Sequence, residues 1–303
     1  MKCFYHSDMD GRCAGAVVRM TMENIGVHGQ YYQINYNDRF PFEEVVKDEL
    51  IVIVDFSLQG DGGFERLLTM TSNVVWIDHH KTAIEKNEHL KEMLDGARGD
   101  KEAGCVLAWK WFHKDETVVP LAVQMIGSYD IWDFSVFGED LLRLQAGLRL
   151  YDTTPESGFW DEFLYSGLDS LLGRVIESGD IVLRYKRSVD SLYVRSFGFF
   201  CTLDKYRVVA CNMGMTSSQL FDAVDQLYLL PQPDTHSVYD LMCPFVFDGR
   251  TYTVSVYSKD ADIDCSEIAK RRGGGGHKQA AGFQCTMLPF DLSSAKPVGD
   301  RKW

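Results

Sequence analysis

The chain has 303 residues, 45% hydrophobic and 25% charged, which is enough for two ordinary globular domains and excludes a largely disordered protein. With 31 basic against 44 acidic residues the net charge is -13, which argues against long duplex nucleic acid as a partner, since binding along a duplex draws on an excess of Lys and Arg. No apolar run approaches the roughly 20 residues that span a bilayer, and the eight cysteines contain no C-x-x-C pair, so reduced thiols, a cytoplasmic location and no membrane partner are expected.

Up to about residue 135 the chain alternates strand-like and helix-like runs, the pattern of a parallel α/β sheet. Residues 2–5 predict a short strand ending at His6, and residues 11–22 a helix of small apolar residues. Residues 50–55 (LIVIVD) are a continuous β-branched run, as expected of a strand buried on both faces. A helix is expected at 64–70, a second buried strand at 73–77, and further helices at 104–113 and 121–129. From 168 to about 195 apolar residues recur at helical spacing, and Gly179 weakens this helix without ending it. Beyond 197 the texture changes: strand-like runs at 207–212, 239–247 and 251–257 surround a helix near 217–220, and a glycine run follows at 273–276. Any disorder is expected in the tail after Phe290. The fold class is therefore α/β: an N-terminal parallel-sheet catalytic domain at 1–167, a helical connector at 168–195 and a smaller α+β domain at 196–303.

The three clearest strands each run into acidic or histidine residues, and ligands of open parallel sheets bind at the carboxyl ends of strands. The first strand leads into His6, Asp8, Asp10 and Gly11. Alternate residues of an extended segment point the same way, so the three ligand types can converge. An EF-hand loop would need a Glu near Val17 and finds none. A D-x-D-x-[TV] phosphatase nucleophile fails because Arg12 stands in the last position, which leaves a metal site. Asp55 follows the second strand, where a turn former and a functional carboxylate are equally good readings in isolation. Asp78, His79 and His80 follow the third, and two adjacent histidines between Asp and Lys have no packing explanation. Asp130 ends an apolar helical stretch. Together these groups suit two divalent cations: imidazoles and carboxylates without thiolate favour Mn²⁺, then Mg²⁺, Co²⁺ or Zn²⁺. Such a pair, held about 4 Å apart, lowers the pKa of a bound water for in-line attack on phosphorus.

These segments, in this order, resemble the four motifs of the DHH phosphoesterase superfamily, and residues 273–283 (GGGGHKQAAGF) resemble the GGGH motif of its DHHA1 domain. The stand-alone oligoribonuclease (nano-RNase) and cyclic-nucleotide phosphodiesterase-like members are the most similar subgroup. The resemblance implies an active site in the cleft between two lobes. It implies that His6 and Asp8 hold a first metal, Asp10, His79 and Asp130 a second, and that Asp55 bridges them. His80 is expected at the scissile phosphate or leaving oxygen, with Asp78 orienting His79 from behind. In the smaller domain, Asp264 and Glu267 have the spacing of a helix cap. The run through Gly274, Gly275 and Gly276 offers backbone N–H groups as an anion nest, and His277, Lys278 and Arg271 add charge. Ser258 lies in the same region, and Tyr257 stands where some relatives carry Arg, so that it can stack on a base.

The implied activity is hydrolysis of short single-stranded oligoribonucleotides to mononucleotides by metal-activated water. The same chemistry serves a cyclic or linear dinucleotide phosphodiesterase or a nucleoside-bisphosphate phosphatase. A pyrophosphatase or polyphosphatase fits less well, since the basic cluster of Lys270, Arg271, Arg272 and Lys278 is modest. A non-catalytic nucleotide sensor would have lost a ligand, and none is missing. A homodimer is compatible with the sequence. Trp109, Trp111 and Trp132 are read as core or domain-interface residues, and His28, His89, His113 and His236 as structural or surface residues.

Overall fold

A computed structural model describes residues 1–58, 60, 62–114, 118–214, 216, 218–222, 224 and 239–299. Ser217 and His236, both considered above, lie outside the described residues. The chain divides into two compact units, Met1–Leu183 and Arg184–Trp303.

In the first unit, β1 (Lys2–His6), β2 (Gln30–Ile34), β3 (Ile51–Val54) and β4 (Val74–Ile77) form an all-parallel sheet in the order β2-β1-β3-β4. Strand alternation divides its side chains between two cores. Cys3, Tyr5, Val52 and Val54 face α1 (Met9–Asn24), α4 (Gly104–Phe112), α5 (Leu121–Asp130) and α6 (Asp140–Leu148), whose apolar positions complete that cluster. Phe4, Ile51, Ile53 and Trp76 pack on the other face with Phe64 and Leu67 of α2 (Gly63–Met70). Both faces are covered, which is why residues 51–54 read as an uninterrupted apolar run rather than an alternating one. Two short helices, α3 (Lys81–Lys86) and α7 (Phe159–Phe163), complete the unit. The division between units falls within α8 (Leu171–Phe197), a single 27-residue helix.

The second unit is built on a seven-stranded sheet. Its strands are β5 (Phe199–Leu203), β6 (Tyr206–Asn212), β7 (Leu241–Phe247), β8 (Tyr252–Tyr257), β9 (Gly275–His277), β10 (Ala280–Cys285) and β11 (Asp291–Pro297). The order is β11-β5-β6-β7-β8-β10-β9, antiparallel except where β6 meets β7. One face packs on α9 (Cys265–Lys270), the other on Val194, Leu220 and Phe221. Near 217–220 the described element is a 3₁₀ turn, Ser218–Phe221. The tail after Phe290 corrects the expectation of disorder: Asp291 pairs with Thr202 and Pro297 with Phe199, adding a strand at the edge of the sheet. All seven residues of β11 are exposed, so no apolar alternation betrays the strand in the sequence. All eight cysteines are free. Among the described residues, no helix is long and apolar enough to cross a membrane.

Candidate metal centre

The strand order places β2 on one side of β1 and β3 on the other, so the crossovers diverge between the ends of β1 and β3. Such a switch point is where open parallel sheets take ligands. His6 closes β1 and Asp55 directly follows β3, one on each side of it. Asp55 has φ +52°, a left-handed conformation that Asp tolerates better than most residues and that turns the chain off the strand end. Asp8 is the N-cap of α1, accepting from the Gly11 N–H at 2.9 Å, and Asp10 lies in the first turn of that helix. The segment is thus not extended through Asp10, and simple alternation does not bring the three groups together. The helical turn instead separates them, leaving Asp8 beside His6 and sending Asp10 toward His79.

Three groupings result, each with ligand atoms within 4.8 Å of one another: His6, Asp8 and Asp55; Asp10, His79 and Asp130; Asp55, His79 and His80. His6 Nδ1 stands 2.6 Å from Asp8 Oδ2 and 3.7 Å from Asp55 Oδ2. His79 Nε2 lies 3.2 Å from Asp55 Oδ1, 3.3 Å from Asp130 Oδ2 and 3.8 Å from Asp10 Oδ2. Asp55 is common to the two groupings that contain His6 and His80, and His79 links Asp55 to Asp10 and Asp130.

The electrostatics of this cluster call for cations. Asp55 is 1% exposed, and neither of its carboxylate oxygens has a hydrogen-bond partner. A buried carboxylate without a hydrogen bond is costly unless it is ion-paired, protonated or coordinates a metal, and the imidazoles of His6 and His79 are the ion-pair partners here. Burial, reinforced by Asp8 and Asp130, pushes the Asp55 carboxyl up to about 8 against the pull of His6 and His80. Burial, then Asp55 and Asp130, raises Asp10 well above the carboxylate range, and burial also raises Asp130. Burial opposes protonation of His6, but Asp55 and Asp8 outweigh it and hold its imidazole up to about 10. A crowd of carboxylates that raise one another's proton affinity is a site that positive charge relieves. Oxygen and imidazole donors without thiolate fit hard or borderline divalent ions. Asp55, His6, Asp8, Asp10, His79 and Asp130 are residues able to hold them, and His80 stands within reach of Asp55 and His79 as well.

One assignment from sequence changes. Asp78 was expected to orient His79, but its ring contact is with His80, whose Nδ1 lies 2.7 Å from Asp78 Oδ1. The same oxygen accepts the backbone N–H groups of His79 and His80 at 2.8 and 3.1 Å. This Asx-type turn brings the carboxylate over residue 80 and leaves His79 free to project into the cluster. His80 lines a cavity of about 360 Å³ together with Tyr36, Ser57, Lys86 and neighbours. Tyr36, whose ring centroid is 5.5 Å from that of His80 and 5.3 Å from that of His6, has a buried hydroxyl without a partner. Burial and the nearby Asp78, Asp55 and Asp8 keep this phenol firmly protonated.

Sequence reasoning missed Gly104. Its N–H and that of Cys105 donate to the two oxygens of Asp10 at 2.7 and 2.9 Å, so Asp10 caps the start of α4 across 94 residues of chain. A glycine opening an apolar helix was the available signal. Trp132 is not a core residue: it is 65% exposed, at φ +60°, against the edges of Tyr129 and Phe134, two residues beyond Asp130. Trp109 is buried as expected.

The remaining candidates lie in the second unit. Asp264 caps α9, accepting from Ser266 and Glu267 N–H, whereas Glu267 pairs with Lys270 rather than reaching back to the cap. The N–H groups of Gly273 and Gly274 donate to Lys270 and Ala269 carbonyls at 3.0 Å. Those two donors close the helix and are not available as an anion nest, because a helix end must satisfy its own carbonyls first. Gly275, Gly276 and His277 form the edge strand β9 and are exposed, as are Arg271 and Lys278. Ser258 is buried, with its hydroxyl donating to the Asp240 carbonyl at 3.0 Å and accepting from the Asp260 N–H, a structural arrangement. Tyr257 ends β8, half-buried.

Residues 3–127 match the DHH family, N-terminal domain. Two curated proteins are each 24% identical to the chain. One is uncharacterized protein R106 of Acanthamoeba polyphaga mimivirus, over 84% of this chain and 58% of that protein; the chain therefore spans little more than half the length of this relative. The other is oligoribonuclease NrnB of Bacillus subtilis, over 97% of this chain and 75% of that protein. Among solved structures, the pGpG-specific phosphodiesterase PggH of Vibrio cholerae superposes with a TM-score of 0.51 at 13% identity, covering 94% of this chain and 92% of the other.

Proposed function

We propose, from the match of residues 3–127 to the DHH family N-terminal domain, that the chain is a two-metal phosphodiester hydrolase acting on short oligoribonucleotides and releasing mononucleotides. The observation that carries the reading is Asp55: a carboxylate 1% exposed, without any hydrogen-bond partner, standing between His6 and His79. Bound there, two divalent cations would neutralise charge on a phosphoryl group and activate water for in-line displacement.

The protein's own contribution is positional. His6 and Asp8 hold one side of Asp55, while Asp10, His79 and Asp130 hold the other. Asp10 is fixed by the N-terminus of α4, so its carboxylate need not reorganise when charge develops nearby. Asp78 anchors His80 through Nδ1 and leaves Nε2 for the substrate, where it can hold a proton near the leaving oxygen. His80, one-third exposed at a cavity wall, is the most exposed of the three histidines. For the second unit taken by itself, His277, Arg271, Lys278 and the exposed edge at Gly275 and Gly276 are proposed as anion-contacting groups through side-chain charge and strand backbone.

NrnB supports RNA as the substrate, and PggH supports a dinucleotide as its size. The test is product release in Mn²⁺ from a labelled RNA dinucleotide, a cyclic dinucleotide, a nucleoside bisphosphate and pyrophosphate. Release from the RNA dinucleotide is expected. Hydrolysis confined to pyrophosphate overturns the reading, and activity surviving Asp55→Ala combined with His79→Ala overturns the site.

A further inference from the structure

The cluster of carboxylates borders a second cavity, of about 500 Å³, within the first unit. That volume is within the roughly 300–1,000 Å³ typical of small-molecule sites. Asp8, Asp10 and Asp130 form part of its wall, and Arg12 and Arg149 stand in the same wall. Arg12 is held unusually for a cation beside an acidic cluster. Its Nε donates to the Ser7 carbonyl at 2.9 Å, Nη1 to Thr153 Oγ1 at 3.1 Å and Nη2 to Gln33 Oε1 at 3.0 Å. All three acceptors are neutral, and no carboxylate ion-pairs with Arg12 among the described residues. By contrast, Arg19 and Arg143 in the same unit are each paired with two or more carboxylates. Asp152, next to Thr153, uses its Oδ1 to accept the N–H and hydroxyl of Thr154 at 3.0 and 2.8 Å, and Arg12 acts on this carboxylate through space without forming an ion pair.

A guanidinium has five N–H donors, so three anchors fix the plane of Arg12 and leave two donors unused. None of the described carboxylates forms a direct ion pair with it, although Asp152 feels its charge. The side chain of Arg149, at the C-terminal end of α6, makes no hydrogen bond or ion pair among the described residues and stands in the same cavity wall. A fixed planar fork with spare donors, joined by a second, exposed cation, is the arrangement that recognises phosphate oxygens. Because the anchors are already made, little further ordering is needed when an anion arrives.

We propose that Arg12 and Arg149 form a subsite for a second phosphate, one that is not hydrolysed. The preferred substrate is then a short nucleotide that carries a phosphate besides the scissile one. The inference rests on the phosphodiester-hydrolase reading above and narrows its substrate class. The second phosphate can be the terminal group of a linear oligonucleotide or the other phosphate of a nucleoside bisphosphate, and the experiment separates them.

The test measures kcat and KM of the full chain in Mn²⁺ on an RNA dinucleotide with a 5′-phosphate, a 3′-phosphate or neither, and on a nucleoside bisphosphate. A charge-assisted phosphate contact predicts that one terminal phosphate lowers KM roughly tenfold or more. Arg149→Gln and Arg12→Lys each remove most of that advantage, and Arg39→Gln, at a surface position away from the cavity wall, retains it. A readout without turnover accompanies it: calorimetric binding of a nucleoside monophosphate in EDTA, expected to weaken roughly tenfold in Arg149→Gln. If only the bisphosphate is hydrolysed, or nothing is, the oligonucleotide reading fails while the binding comparison still decides the subsite. Equal KM for all three dinucleotides in the wild type overturns the subsite, as does an unchanged phosphate advantage or unchanged calorimetric affinity in Arg149→Gln. Should Arg12→Lys fail to fold, the two Arg149 comparisons are sufficient.

Discussion

The carboxylate of Asp10 accepts the backbone N–H of Gly104 at 2.7 Å, and a methyl group on Gly104 would stand 2.9 Å from that same carboxylate and 2.8 Å from Cβ of Asp55. The start of α4 is therefore pressed against two of the proposed metal ligands at once. Both contacts are below the distance that real Cβ atoms keep, so any side chain at 104 must displace Asp10, Asp55 or the helix.

Gly104→Ala is expected to reduce hydrolysis by about 100-fold, the cost of misplacing reacting groups by roughly 1 Å. Overpacking should cost only about 1–3 kcal/mol in stability. Activity and urea unfolding, measured together, check this: lost activity in a still-folded protein is the expected result, and near-normal activity would show that the contact is dispensable.

Removing the charge of Asp55 should have opposite effects on folding and on function. Asp55→Asn keeps a residue that accepts the left-handed backbone at φ +52° and removes a buried carboxylate that has no hydrogen bond and only the ion pairs of His6, His79 and His80 to offset its burial. In EDTA the variant is expected to be more stable than the wild type by about 1–3 kcal/mol. Addition of Mn²⁺ should stabilise the wild type, by about 2.7 kcal/mol at a hundred times Kd, and the variant much less. Thermal unfolding with and without metal gives all four values. A wild type that does not respond to divalent ions would remove the basis of the proposed centre.

How much of this was legible in the sequence differs by kind of contact. His6, Asp55 and Asp78 could be read as strand-end groups because β1, β3 and β4 are buried on both faces, and continuous apolar runs mark where such strands stop. Asp10 was legible as a candidate ligand but not as the cap of α4, because that contact joins positions 94 residues apart and has no local pattern. Asp78 was paired with the wrong histidine, since adjacent residues after a strand diverge according to the turn they adopt. The edge strands β9 and β11 were invisible as strands: exposed residues bonded on one side carry no apolar alternation. The glycine run was visible, but glycines that close a helix and glycines that cradle an anion look alike in sequence; only the bonds from Gly273 and Gly274 to α9 distinguish them.

The middle of α8 gives a prediction against propensity. Replacing Gly with Ala inside a helix normally stabilises by about 1 kcal/mol. At Gly179, however, a Cβ would lie 1.7 Å from the Arg143 carbonyl oxygen and 2.7 Å from the Gly147 nitrogen, because α8 and α6 cross there backbone to backbone. Gly179→Ala is therefore expected to destabilise by about 2 kcal/mol or more, whereas Glu177→Ala, exposed two residues away, should stay within about 0.5 kcal/mol of wild type. Urea midpoints distinguish the two, and a stabilised Gly179→Ala would mean that the helices can separate without cost.

In the second unit, Asp240 accepts from Arg207 three times: from the backbone N–H at 2.8 Å, from Nε at 3.2 Å and from Nη2 at 2.6 Å. Arg207 foremost, against a smaller penalty from burial, holds the Asp240 carboxyl below its usual value. A carboxylate with a depressed folded-state pKa stabilises the fold above its unfolded pKa and loses that contribution as the pH falls through the folded value. The pair is one-quarter exposed on the Asp240 side and half exposed on the Arg207 side, so screening limits it to about 1 kcal/mol despite its bidentate geometry. Asp240→Asn is accordingly expected to cost about 1 kcal/mol at pH 7, a difference that narrows below roughly pH 4 and vanishes once the wild-type carboxyl is protonated. Urea unfolding of both proteins across this range provides the comparison. A gap that stays constant down to pH 2 would mean that the side-chain amide fails for reasons of shape rather than charge.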